Sequence, residues 1–136
     1  MDANAATPPR REEHSFLRIR RPRLLVVEDD PDMWRLVERA AREANPEVLI
    51  HWTTSADGAR SALERYEFDA VLADFMLENS QSGWWLLGEC QRLQPNARIA
   101  LSSSLPLRSP EAIGCPFLKK PFGIQDCRTF VTRLLC

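Results

Sequence analysis

Residues 21–33, RPRLLVVEDDPDM, run a short apolar segment straight into three adjacent acids, Glu28, Asp29 and Asp30. Like charges repel at close range, and burial raises the cost of ionising them. The acids therefore need either a cation among them or full exposure to water. The apolar part, RLLVVE at 23–28, is short and unbroken, as expected of a strand covered on both faces. Pro31 then opens a helical stretch with Asp30 as its N-cap. Met33, Trp34, Val37, Ala40, Ala41 and Ala44 recur at helical spacing along it.

The same unit repeats along the chain. EVLIHWTT (47–54) reads as a second strand, and SADGARSALERYE (55–67) as a helix capped by Ser55. FDAVLAD (68–74) is a third strand that again ends in a carboxylate. GWWLLGECQRLQ (83–94) is a helix closed by Pro95, with Trp84 and Trp85 as packing residues, one of them near the helix edge. ARIALSSS (97–104) is a fourth strand, CPFLKK (115–120) a short fifth, and IQDCRTFVTRLLC (124–136) a last helix. Strands alternating with helices imply an α/β fold, a parallel sheet with helices on both sides.

In such sheets ligands bind outside the carboxyl ends of the strands. The polar groups fall at those ends: Glu28, Asp29 and Asp30 after strand 1, Asp74 after strand 3, Ser102, Ser103 and Ser104 after strand 4, Lys119 and Lys120 after strand 5. Brought together, carboxylates from strands 1 and 3 make an oxygen-rich site for a hard cation. Magnesium fits, because it takes one or two carboxylates, waters and a phosphate rather than a full protein cage. A lysine opposite would neutralise a phosphate and a serine hydroxyl would hydrogen-bond it. Asp74 can then act as a nucleophile toward a phosphoryl group.

LLVVEDDPDM, DAVLADFML, IALSSS and FLKKPF, in this order and at strand ends, resemble the receiver domain of bacterial two-component response regulators over residues 22–136. The resemblance implies a doubly wound, flavodoxin-like sheet of five parallel strands in the order 2-1-3-4-5. It implies that Asp74 accepts a phosphoryl group from a histidine kinase or phosphotransfer protein, and that a downstream protein reads the result. Asp29 would bind Mg2+ directly, Glu28 mostly through water, and the Met76 backbone carbonyl would complete the shell with Asp74. Lys120 would pair with the phosphoryl group. Ser103, or Ser102 by a one-residue slip, would be the switching hydroxyl, and Phe117 the aromatic switch that follows it. Such a protein is a phosphoacceptor that assists its own phosphotransfer and dephosphorylation, not a turnover enzyme.

The sequence also departs from that family. Sixteen residues separate Ser103 from Lys120, and Pro106 and Pro110 fall among them. Prolines are not tolerated in a helix interior, so the fourth helix is expected to be shortened or missing. The loop after Asp74, FMLENSQSG, is one residue longer than usual and lacks its customary proline. A pseudo-receiver, the same fold acting as an adaptor without phosphorylation, is the alternative. A phosphohydrolase of similar chemistry would need a second carboxylate where Met76 stands. A nucleotide or flavin domain would need a glycine-rich loop where EDDPDM stands.

The chain of 136 residues suits one domain, with residues 1–20 as a disordered or extended tail and 21–136 as the receiver domain. The net charge of -1 argues against direct nucleic-acid or anionic-membrane binding, although RIRRPR (18–23) is a basic flank. No apolar run reaches the ~18–20 residues of a membrane span, and the N-terminus lacks a signal-peptide core. A cytoplasmic single-domain regulator is expected. Cys90, Cys115, Cys127 and Cys136 form no C-x-x-C pair, and His14 and His51 are the only histidines, so free thiols are expected rather than a zinc site.

Overall fold

The computed structural model describes residues 20–75, 83–104 and 114–136. Strands and helices alternate along them: β1 Arg23–Val27, α1 Pro31–Ala44, β2 Leu49–Thr53, α2 Ala56–Arg65, β3 Ala70–Asp74, α3 Gly83–Leu93, β4 Arg98–Ser103, β5 Phe117–Lys119 and α4 Ile124–Leu135. Every strand pair is parallel, and the order across the sheet is β2-β1-β3-β4-β5. This is the doubly wound arrangement expected from the sequence, with element ends trimmed by a residue or two. The expectation of a shortened or missing fourth helix falls on residues 105–113, outside the described residues. So do the tail as far as residue 19 and Met76.

The unbroken apolar strands follow from a sheet covered on both faces. Successive strand residues point to opposite sides. Leu24, Val26, Ala70, Leu72, Ala100 and Leu118 pack beneath α1 and α4, against Val37, Ala40, Ala41, Val131 and Leu134. Their neighbours Leu25, Val27, Val71, Ala73 and Leu101 pack beneath α2 and α3, against Ala56, Ala59, Leu63, Leu86 and Cys90. Caps fix the helix starts that position the strand ends. Asp30 accepts from the Asp32 N–H at 2.9 Å with Pro31 in the first helical position, and Ser55 Oγ accepts from the Gly58 N–H at 3.0 Å.

At the opposite edge of the sheet the described part of the basic flank, residues 20–23, is engaged within the domain. Arg20 pairs with Asp69, and Arg21 Nε donates to the Glu47 carbonyl at 2.9 Å. The Arg23 guanidinium lies 5.4 Å from the centre of the Tyr66 ring. Cys90, Cys115, Cys127 and Cys136 are free thiols. Burial pushes the Cys127 thiol up to about 12, and burial together with the Glu89 charge does the same for Cys90. Among the described residues no helix is long and apolar enough to cross a membrane.

Candidate functional site

The loop leaving β1 carries Glu28 and Asp29 to the carboxyl edge of the sheet, where Asp74 ends the neighbouring β3. Side-chain oxygens of Glu28, Asp29 and Asp74 lie within 4.8 Å of one another. Glu28 is only 3% exposed and Asp74 8%, so water screens their charges poorly. The cation demanded by the opening stretch of sequence comes in part from the chain itself. Lys120, just past β5, places Nζ 2.9 Å from Glu28 Oε1 and 3.2 Å from Asp74 Oδ2. Its neighbour Lys119 is exposed. The Asp30 backbone N–H adds a 3.1 Å hydrogen bond to Glu28 Oε2.

Burial pushes the Glu28 carboxyl up. The Lys120 hydrogen bond and charge pull against this, and the balance stays above the ordinary value. For Lys120 burial acts to lower the value, but Glu28 and Asp74 together outweigh it and hold the ammonium above its usual range. Three carboxylates against one ammonium leave two negative charges in excess. Hard oxygen donors with that excess suit a divalent magnesium ion that keeps several waters. The residues present therefore fit such an ion.

Both serines at the end of β4 are buried. Ser102 is the register partner of Asp74, and its carbonyl accepts the Phe75 N–H at 2.6 Å. Ser103 is the partner of Lys119, and its carbonyl accepts the Lys120 N–H at 2.9 Å. Strand alternation separates the two. Ser103 follows Leu101 by two and shares its face, toward α2 and α3. Phe117 pairs in register with Leu101 and packs half-buried in that same layer. Ser103 and Phe117 thus occupy one side of the sheet end, while Ser102 follows Ala100 on the other. Met76 lies outside the described residues.

Two features of this edge have no local signature in the sequence. The Trp52 indole N–H donates to the Glu28 carbonyl at 2.7 Å, joining residues 24 apart in sequence. Gly83, at the start of α3, donates its N–H to the Phe75 carbonyl at 2.8 Å. A Cβ at Gly83 would lie 2.8 Å from Phe75 Cδ1 and 3.0 Å from Phe75 Cα. Helix α3 can close on the residue after Asp74 because no side chain intervenes. Of the tryptophan pair on α3, Trp85 is partly buried against the core, and Trp84 is half-exposed with its ring edge-on to Phe75.

No family model and no curated protein matches the sequence. Solved structures match in number. A chemotaxis response regulator of Vibrio cholerae superposes with a TM-score of 0.73 at 18% identity, covering 85% of this chain and 100% of that one. A response regulator receiver protein from Sinorhizobium medicae gives 0.75 at 21% identity, covering 87% and 97%. A receiver domain of a Francisella response regulator gives 0.69 at 22% identity, covering 84% and 96%. With its five parallel strands in the order 2-1-3-4-5, this chain has the receiver-domain fold of the response regulators.

Proposed function

We propose that this protein is a phosphorylation-controlled receiver in which Asp74 accepts a phosphoryl group from a histidine kinase or phosphotransfer protein. The observation that carries this reading is Lys120, whose ammonium reaches both Glu28 and Asp74 inside a cluster of three carboxylates. In the transfer, an Asp74 carboxylate oxygen forms the new O–P bond while the P–N bond of a phosphohistidine breaks. The electron pair returns to the imidazole nitrogen. Lys120 neutralises the phosphoryl oxygens, and the Ser103 hydroxyl, turning toward the phosphate, donates a hydrogen bond to one of them. Phe117 moves into the space that hydroxyl leaves and carries the change outward to protein partners. Glu28, Asp29 and Asp74, with the Met76 backbone carbonyl, would hold Mg2+. That ion supplies charge neutralisation at the transferring oxygens. On this reading the protein works in the cytoplasm as a phosphoacceptor, not as a turnover enzyme.

The test is intact mass after incubation with phosphoramidate or acetyl phosphate and Mg2+, beside Asp74→Asn. A single phosphoryl adduct on the wild type and none on the variant is expected. No adduct on a folded, Mg2+-binding wild type would overturn the reading in favour of an adaptor that works without phosphorylation.

A further inference from the structure

Two tryptophans tie the acidic loop to the sheet. Trp52 stands on the edge strand β2 and holds the Glu28 carbonyl through its indole N–H at 2.7 Å, the short end of the range for such a bond. Trp34, near the start of α1, stacks on it, with ring centroids 4.9 Å apart and planes within 6° of parallel. The ladder between β1 and β2 closes just before, where the Glu28 N–H donates to the Thr53 carbonyl at 2.9 Å. Glu28 is thus anchored to β2 on both sides, through backbone at its N–H and through the indole at its carbonyl. That carbonyl belongs to the planar peptide joining Glu28 to Asp29. Holding it sets the direction in which Asp29 leaves the strand.

Packing alone does not account for tryptophan here. Trp52 is 39% exposed, so much of its apolar surface stays in water. A β-branched residue would satisfy an edge strand as well. What the indole adds is a rigid ring carrying one donor, and the parallel stack with Trp34 keeps that donor aimed.

We propose that Trp52, steadied by Trp34, is a positioning residue for the Glu28–Asp29 acidic pair and sets how tightly the site holds a divalent cation. This rests on the reading of Glu28, Asp29 and Asp74 as Mg2+ ligands. The stack couples α1, β2 and the β1–α1 loop, so the loop is already in place before any ion arrives. Preorganisation of this kind lowers the ordering cost of binding.

The experiment is calorimetric titration with Mg2+ alone on the wild type, Trp52→Phe and Ile50→Val. Trp52→Phe keeps an aromatic ring against Trp34 and removes the N–H. Ile50 sits two residues earlier, partly buried on the same strand, and Ile50→Val loosens packing without touching the hydrogen bond. Trp52→Phe should weaken Mg2+ binding about fivefold, the worth of one hydrogen bond, while Ile50→Val leaves the affinity within about twofold. Equal affinity of Trp52→Phe and wild type would overturn the proposal while the metal-site reading stands. So would an equal loss in Ile50→Val, which would mark a general loosening. A wild type that binds no Mg2+ would overturn the metal-site reading, and this proposal with it.

Discussion

At the scale of single residues the acidic cluster costs the fold stability. Glu28 is buried beside two other carboxylates, and its raised pKa means that folding disfavours its ionised form. The sign follows from linkage. A carboxyl raised in the folded state contributes stability that is present below its unfolded value. That contribution is lost as pH rises from the ordinary 4.5 through the raised value. Glu28→Gln removes the charge and keeps a single acceptor oxygen, which can serve Lys120 or the Asp30 N–H but not both. In Mg2+-free buffer at pH 7 the variant should melt at a higher temperature than the wild type. The gap should close as pH falls through that window, as thermal melts across pH would show. On the proposed reading the same variant should bind Mg2+ more weakly, because the cluster gives up one negative charge. A gain in stability from damaging a site is expected where function imposes strain.

At the scale of elements, the decisive contact is between α3 and the end of β3. Gly83→Ala would drive a methyl group into Phe75, the residue following Asp74. Overpacking of this kind costs about 1–3 kcal/mol, and chemical denaturation should show a loss in that range. None of this could be read from the sequence, because a lone glycine at the head of a helical pattern does not reveal what lies against it. The same limit hid the bond from Trp52 to Glu28, which depends on β2 lying beside β1. What could be read were the elements themselves. Continuous apolar runs such as LLVV mark strands buried on both sides, and Asp30-Pro31 and Ser55 mark helix starts through local chemistry. The gathering of Glu28, Asp29, Asp74 and Lys120 was legible for a topological reason. Parallel strands send all their carboxyl ends to one edge, so residues distant in sequence share a place once the alternation is recognised.

At the scale of the whole molecule, two helical layers clamp one sheet, and each layer hides a cysteine. Cys90, on α3, is buried against one face of the sheet and Cys127, on α4, against the other, both with thiols pushed up to about 12. Thiolate is the reactive form, so neither should label in the native state at pH 8. Cys136 is exposed at the chain end and should label at once, with half-buried Cys115 following. If the domain opens as one unit, Cys90 and Cys127 should acquire label at a single common rate set by global unfolding. Mass spectrometry of labelled peptides gives the two rates separately, and a difference between them would mean that the layers part independently.

The border strand β5 pairs with β4 at three register positions, Phe117–Lys119, with one further backbone bond on either side, from Leu101 to Pro116 and from Lys120 to Ser103. The ammonium set against the acids is therefore mounted just past the shortest of the described strands. Fraying there would withdraw positive charge from the far side of the cluster without disturbing the acids themselves. A partner that grips this margin, or one that peels it back, would act on the electrostatic potential at Asp74 from outside, with no need to enter the cleft.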